Sequence, residues 1–391
     1  MDQQFVRKAI TPEDQEGFRR CCSIAFLSSF NKEEFQAKTP EELAKMPTET
    51  WVSGENGNVT SGIVFHDFDV WFDGKKTKAT GVGGVSSVPE GRSQGGIRAI
   101  FEKELPDAYE RGFVFSILFP FSHIFYRKFG YELTQATKIY KFDIEDLKPF
   151  VDNTPAKLIS DAAEIKEIHD TFGRAHTLTI SRREDQWHLV SKDPVKDVNF
   201  TYLIGDSAFV TFRPTPEDKA SNVVNIRDLG YKDIASFKSL LGFLYSLRAV
   251  FSKVRIALPD DVPMMELLAE CYDGAYEGHA HGMSRIVNVQ KALELMNYEG
   301  SGHFTVKVSD EQIAQNNGVF EVTYTAGQPA VKKVGDNGET DLTVTIQRLC
   351  QLVTGTLTVE EALWLDGVSC TCPEKFKHVF VHKPQFYNDP F

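Results

Sequence analysis

The sequence predicts a mixed α/β chain of the α+β type, divided into three domains. Its 391 residues exceed the roughly 100–200 residues of one ordinary domain. Hydrophobic residues make up 41% and charged residues 25%, which is the composition of a globular protein rather than a disordered one. Strand-like and helix-like segments alternate along the whole chain. From these patterns we expect domains at residues 1–150, 151–285 and 286–391.

The charge distribution argues against two classes of binding partner. The net charge is −12, and the three expected domains contribute −3, −4 and −5. Because no segment is basic, we expect neither nucleic acid nor a membrane as a partner. The N-terminus lacks an apolar signal core, and no apolar run could span a bilayer, so we expect a cytoplasmic protein. The six cysteines are too sparse for a disulfide framework or a zinc site, and we expect no metal.

The first expected domain opens with helix and strand signals in alternation. Thr11 followed by Pro12 is typical of a helix start. Residues 51–88 read as an antiparallel meander with a hairpin turn at Asp73-Gly74. We expect the next helix to start near Gly95 and to be kinked or divided by Pro106. A buried strand at 113–118, a short helix at 122–128 and a strand at 137–142 then follow.

The other two domains are less sharply marked. In the second, strands are expected at 200–204, 208–212, 223–228 and 254–258, with a strongly apolar helix over 235–251. In the third, strands are expected at 302–308, 318–324 and 340–346. A helix capped by Thr358 is expected to run to Leu365. The aromatic tail over 383–391 is predicted to dock, since disordered termini are usually poor in aromatic residues.

The segment that carries chemistry is the strand, turn and helix at residues 82–100. Gly95 and Gly96 let a ligand approach the backbone at the helix start, where free N–H groups attract anions. Arg92 and Arg98 add positive charge, so the segment suits a pyrophosphate group. Neither a dinucleotide fingerprint nor a phosphate-binding P-loop fits the glycine spacing. A plain surface turn before a helix is the alternative.

The order of these elements resembles that of the GNAT (Gcn5-related) N-acetyltransferases. The turn Arg92-Ser93-Gln94-Gly95-Gly96-Ile97 matches the family's pyrophosphate motif, except that Ile97 replaces Gly or Ala. Residues 85–99 and 124–131 are more closely similar to the Eis (enhanced intracellular survival) family, in which an aliphatic residue also follows the turn. That resemblance implies a GNAT domain at 1–150 that binds acetyl-CoA and a degenerate GNAT domain at 151–285. The third domain, 286–391, would resemble sterol carrier proteins and supply the terminal carboxylate.

The resemblance also implies roles for single residues. Tyr126 would be the general acid toward the departing CoA thiolate, and the terminal carboxylate of Phe391 the general base. An α-carboxyl, with a pKa of about 3.5, is a weak base, so it must be desolvated, act through water or mainly attract the cation. The residues expected to contact acetyl-CoA are Val85, Ser86, Ser87, Ser93, Gln94, Gly95, Gly96, Ile97, Arg98, Phe121 and Ser122.

The implied activity is acetyl transfer to the primary amine of a small cationic, aminoglycoside-like acceptor by direct attack in a ternary complex. The alternatives are a protein-lysine or other amine acetyltransferase, and a non-enzymatic carrier that binds lipid in its third domain. Phe26, Phe30 and Phe35 are candidates for the acceptor wall, although core packing is the favoured role. The resemblance further implies a homo-oligomer built from trimers, such as a hexamer.

Overall fold

The computed structural model describes residues 4–272, 274–335, 340–386, 389 and 391. Within these residues the strands form two sheets. One has thirteen strands and runs through the first two thirds of the chain, and the other has five strands in the last third. None of the helices described is long and apolar enough to cross a membrane.

The first third opens with one strand and two helices, continues with the expected antiparallel meander and ends in a helix–strand–helix–strand unit. Pro106, which is expected from the sequence to kink or divide the third helix, lies inside a helix that continues as one element, so the helix is not divided there. Packing explains the continuity, because Leu105 before the proline and Ala108 after it are both fully buried. The elements are β1 (Gln4–Lys8), α1 (Pro12–Phe26), α2 (Pro40–Leu43), β2 (Thr48–Glu55), β3 (Asn58–Phe72), β4 (Lys75–Ser87), α3 (Gly96–Glu110), β5 (Phe115–Leu118), α4 (His123–Arg127) and β6 (Glu132–Asp143).

The middle third repeats the pattern of strands, helix and strand. The expected apolar helix is present but ends at Tyr245, and a 3-10 turn at Ser246–Ala249 follows it. Its buried face consists mainly of Phe237, Leu240, Leu241 and Leu244. The elements are β7 (Ala156–Ile159), α5 (Lys166–Arg174), β8 (Ile180–Ser181), α6 (Pro194–Asp197), β9 (Phe200–Ile204), β10 (Ala208–Phe212), α7 (Pro216–Ser221), β11 (Val223–Tyr231), α8 (Ile234–Tyr245), β12 (Lys253–Leu258), α9 (Met264–Leu267) and β13 (Ala275–Ile286).

The last third forms its own sheet in the order β16-β15-β14-β17-β18. The strand expected at 340–346 is shorter, and the helix α11 starts at Ile346 because Thr345 caps it. The helix expected to reach Leu365 ends at Ala362. The elements are α10 (Val289–Leu295), β14 (Gly302–Ser309), β15 (Gly318–Thr325), β16 (Gln328–Gly335), β17 (Leu342–Thr345), α11 (Ile346–Val353), α12 (Val359–Ala362) and β18 (Val368–Cys370).

Strand β13 joins the three parts of the chain. It lies between β5 and β6, antiparallel to both, so the middle third completes the sheet of the first third. Its residue Arg285 is fully buried and forms an ion pair of 2.6 Å with Asp310, just after β14. One apolar cluster extends from Phe68 and Ile117 of the large sheet to Phe304 and Phe376 of the C-terminal part. The C-terminal part is therefore packed directly on the first sheet.

Candidate active site

The edge of β4 opens beside β5. The two parallel strands pair at only three positions, from Ala79 to Gly81 on β4, whereas β4 stays paired with β3 as far as Ser87. Gly84 has a φ of +58° at the irregularity in the β3–β4 ladder, and glycine adopts that conformation without steric cost. The backbone N–H and C=O groups of β4 that face the opening are thus free to bind an extended ligand.

The three predicted contact residues on this strand, Val85 to Ser87, lie along the opening. Their side chains are partly engaged elsewhere: the hydroxyl of Ser86 lies 3.6 Å from the Cys22 thiol, and the hydroxyl of Ser87 lies 2.8 Å from that of Ser61. Backbone rather than side-chain groups are therefore what this strand offers to a ligand.

The start of α3 lies at the end of the same strand and has no side-chain cap. Gly95 occupies the N-cap position with a φ of +81°, and Ser93 is also left-handed at +62°. No acidic residue occupies the first turn, and Arg98 is exposed there. The helix start therefore presents free N–H groups and positive potential toward solvent, as an anion site requires.

Tyr126 lies on α4, directly after the loop that follows β5. Its side chain is 2% exposed, and its ring meets that of Phe121 edge-on at a centroid distance of 5.3 Å. Ser122 caps α4 by accepting a hydrogen bond from the backbone N–H of Phe125 at 3.3 Å. Burial raises the pKa of Tyr126 above its usual value, so the phenol stays protonated at neutral pH.

Phe391 lies on the sheet at the beginning of the opening. Its ring contacts Phe68 of β3 and Phe119, just after β5, at centroid distances of 5.0 and 5.5 Å. A side chain at Gly81 would have its Cβ 2.8 Å from this ring, and a Cβ at Gly83 would lie 3.5 Å from the Phe391 carbonyl oxygen. The two glycines of β4 thus make room for the terminal residue.

The tail that carries Phe391 is held by buried polar contacts, as the docking prediction requires. The guanidinium of Arg182 binds Asp389 at 2.6 Å and Asp228 of β11 at 3.1 Å. Upstream, the amide of Gln385 donates to the carbonyl of Thr354 at 2.9 Å. The predicted tail positions 387, 388 and 390 lie outside the described residues.

Two cavities adjoin each other near Phe391, and Phe391 lines the smaller of them. The smaller, of about 250 Å³, is lined by His66, Phe68, Arg183, Asp185, His188, Asp389 and Phe391, among others. It shares Met46 and Thr48 with a larger cavity of about 540 Å³ between α1 and the start of β2. Phe35 lines the larger cavity, whereas Phe26 is 58% exposed. The favoured core-packing role is therefore wrong for Phe26, because it lies at the exposed end of α1.

The predicted site residues converge around the opening. Phe119 and Phe121, which follow β5, connect the environments of Phe391 and Tyr126. The sequence reasoning missed His66, Arg182 and Asp389, since each acquires its role only through long-range packing. The glycines at 81 and 83, unusual inside a strand, were the one local signal of a close approach. No cluster of three or more potential metal ligands occurs among the described residues.

Three family descriptions match consecutive parts of the chain. An acetyltransferase (GNAT) domain matches residues 7–134, a second acetyltransferase (GNAT) domain matches 178–286, and a sterol carrier protein domain matches 289–387. The order agrees with the expected architecture, while the boundaries at 1–150, 151–285 and 286–391 stay a prediction. No curated protein sequence matches the chain.

Several solved structures share the fold over all three parts. A probable N-acyltransferase from Enterococcus faecalis has 24% identity and a TM-score of 0.85, and a GCN5-related N-acetyltransferase from Anabaena variabilis has 22% and 0.85. Eis1 from Mycobacterium abscessus has 18% identity and a TM-score of 0.80. In each case 100% of both chains is covered. The chain therefore carries two GNAT acetyltransferase domains followed by a sterol carrier protein domain, and this order matches the Eis-like architecture.

Proposed function

We propose that this acetyltransferase moves the acetyl group of acetyl-CoA to a primary amine of a small cationic acceptor of the aminoglycoside-like class. The observation that carries the proposal is the meeting of Phe391 and the Tyr126 loop at the opening of β4. A proton donor, a carboxylate and a free strand edge lie together there, as amide formation from a thioester requires.

The cofactor would lie along the opening. Its pyrophosphate suits the uncapped start of α3, because the helix dipole and Arg98 favour negative charge there. Its pantetheine arm suits the unpaired backbone of β4, and Phe121 and Ser122 would border the far side. The residues that would hold acetyl-CoA are Val85, Ser86, Ser87, Ser93, Gln94, Gly95, Gly96, Ile97, Arg98, Phe121 and Ser122.

Acetyl-CoA supplies an activated acetyl thioester when bound. Tyr126 holds the proton that a departing thiolate needs, and the aromatic surroundings that raise its pKa also exclude water from it. A free thiol has a pKa of about 8.5, below that of this phenol, so the transfer depends on a direct contact between the oxygen and the sulfur.

The Phe391 carboxylate would attract the acceptor's cationic amine. In the smaller cavity this carboxylate, Asp185 and Asp389 face one lining arginine, Arg183. The larger cavity instead combines Lys8, Arg19 and Lys38 with only Glu49. We therefore place the reacting amine in the smaller cavity, where negative charge predominates.

The test measures CoA thiol release with wild-type protein over a panel of aminoglycosides, polyamines and lysine peptides. Tyr126→Phe and deletion of Phe391 should each lower kcat by about 10²-fold or more. Adding one glycine after Phe391 should have a comparable effect, since it moves the carboxylate and keeps the ring. Tyr272→Phe, at a site 90% exposed, is the matched control.

Full activity in the Tyr126 and Phe391 variants together would refute the assigned roles. If the wild-type protein acetylates lysine peptides but no small amine, the acceptor would be a protein lysine rather than a small cationic amine.

We also propose a homo-oligomer built from trimers. Light scattering on the purified protein would confirm it, whereas the mass of a monomer would refute it.

A further inference from the structure

We propose that His66 accepts the proton of the acceptor amine, while the Phe391 carboxylate holds the amine in place. This inference rests on the proposed function and deepens it, because it assigns the base to a side chain that neither the motif nor the family match identifies. It also separates two tasks, charge attraction and proton removal, that a single α-carboxylate performs poorly.

The structure places the imidazole of His66 close to the terminal carboxylate of Phe391. His66 on β3 is the cross-strand partner of Gly81 on β4, over which the Phe391 ring lies. The position that a Cβ of Gly83 would take lies 3.1 Å from Nε2 of His66 and 3.5 Å from the carbonyl oxygen of Phe391. Because residue 83 is glycine, no side chain separates the imidazole from the terminal residue.

The ring of His66 is fixed by stacking. It lies nearly parallel to Phe68, with an interplanar angle of 3° and a centroid distance of 5.8 Å, and it contacts Phe391 at 5.6 Å. These contacts leave it half-buried in the wall of the smaller cavity. A general base needs such a fixed orientation, because proton transfer requires hydrogen-bond distance to the amine.

The chemistry favours imidazole over the carboxylate. Burial, and to a lesser degree the positive charge of Arg183, lower the pKa of His66 below its usual value. The imidazole is therefore neutral at pH 7 and available as a base. The ordinary pKa of an imidazole, about 6.5, lies well above that of an α-carboxyl, about 3.5.

Several charged groups face His66 across the cavity. Arg183 donates to the carbonyl of Asp67 at 2.6 Å and forms an ion pair with Asp185 at 3.1 Å. Asp389 is already bound by Arg182, and the imidazole of His188 and the terminal carboxylate complete the titratable lining. From β2, the cross-strand neighbour of His66 is the uncharged Thr48.

The proton balance is complete without another reactant. The bound ammonium first loses one proton to Nε2 of His66, which passes it to solvent and leaves a neutral amine. As the amine nitrogen then bonds to the acetyl carbon, the second departing N–H proton passes to the same Nε2. The C–S bond breaks, and the sulfur takes the Tyr126 proton. His66 then releases its proton to solvent through the open cavity, and Tyr126 regains one from solvent.

The experiment compares the pH dependence of kcat in wild-type protein, His66→Gln and the control His303→Gln. His303 is an exposed histidine on β14 of the sterol carrier domain, paired with Glu321. We expect His66→Gln to lower kcat about 100-fold at pH 7, leave the KM for acetyl-CoA unchanged and move the acidic limb of the wild-type profile to the higher pH at which the amine itself loses its proton. Part of the loss should return at high pH, where the free amine is more abundant, and added imidazole should restore activity to His66→Ala.

A His66→Gln enzyme within threefold of wild type, with the same acidic limb, would overturn the inference. The proposed function would be refuted by a different result, namely a wild-type enzyme that acetylates no amine. If deletion of Phe391 abolishes turnover while His66→Gln stays active, the carboxylate itself is the base and only the present inference is lost.

Discussion

The two GNAT domains differ at the N-terminus of the corresponding helices α3 and α8. In the first, α3 begins at a left-handed glycine, Gly95, with no side-chain cap. In the second, α8 begins at Asp233, whose carboxylate accepts from the backbone N–H of Ser236 at 2.8 Å while Ser236 accepts from the N–H of Asp233. A helix start whose donors are already satisfied by its own carboxylate is unsuited to a pyrophosphate. Under the proposed function, CoA would therefore bind to the first domain and not to the second.

Both domains have an opening between parallel strands, but the two openings are used differently. Strand β11 pairs with β12 at only three positions, so the second domain also has an opening like that of β4 and β5. Farther along β11, however, Asp228 binds Arg182, which in turn binds Asp389 of the tail. On our account the second domain does not bind the cofactor. It positions the C-terminal tail, which contributes to the site of the first domain.

The largest expected effect comes from releasing the tail. Arg182→Gln leaves Asp228 and Asp389 buried without their cation, so we expect kcat to fall about 100-fold and the free energy of unfolding to fall by about 3–5 kcal/mol. Arg182→Lys keeps the charge and should recover part of both. The measurements are steady-state kinetics and urea unfolding. If the folded Arg182 variants keep wild-type kcat, the second domain does not position the tail.

The two domains can be compared directly by placing a negative charge before each helix and measuring the Kd for acetyl-CoA. Ser93→Asp puts a carboxylate beside the start of α3, at a left-handed position that aspartate tolerates, and should raise the Kd for acetyl-CoA about 30-fold. Lys232→Asp places the same charge before α8 and should leave the Kd unchanged. Calorimetric titration measures both. Equal effects of the two variants would contradict the assignment of the site to α3.

The buried faces of the two helices also differ. Glu104 of α3 is fully buried and has no hydrogen-bond partner among the described residues, and burial raises its pKa to about 8, whereas the buried face of α8 carries no carboxyl. Because the folded pKa exceeds the unfolded value, wild-type stability falls as pH rises from about 4.5 to about 8, by roughly 1.4 kcal/mol per pH unit.

Glu104→Gln removes that dependence, since glutamine does not titrate. We expect its stability relative to wild type to increase by about 2 kcal/mol between pH 6 and pH 8, measured by urea unfolding at both values. Parallel stability curves for the two proteins would show that Glu104 is already ionised in the folded protein at pH 6, so that its pKa is not raised.

The smallest effect concerns the cap of the second domain. Asp233→Ala removes the side-chain acceptor at the start of α8 and should lower the free energy of unfolding by about 1 kcal/mol. Acetyl-CoA binding should stay at the wild-type value, because the account assigns no ligand to this helix. Weakened binding in this variant would indicate that the second domain contributes to the cofactor site.

Local patterns predicted the first domain well. Glycine at the start of α3, the apolar run of β5 and the turn at Asp73-Gly74 each depend on neighbouring residues alone. Strand β13 was missed, since its glycines and exposed polar residues are poor strand formers and its pairing partners lie far away in sequence. His66, Arg182 and Asp389 gain their roles through contacts between distant segments, which one sequence does not reveal.

The most direct test of the comparison is a calorimetric titration of the wild-type chain with acetyl-CoA. We predict one binding site per chain, lost or strongly weakened by Ser93→Asp and unaffected by Asp233→Ala. Two sites per chain, or one site that survives Ser93→Asp and is weakened by Asp233→Ala, would contradict the claim that the first domain alone binds the cofactor.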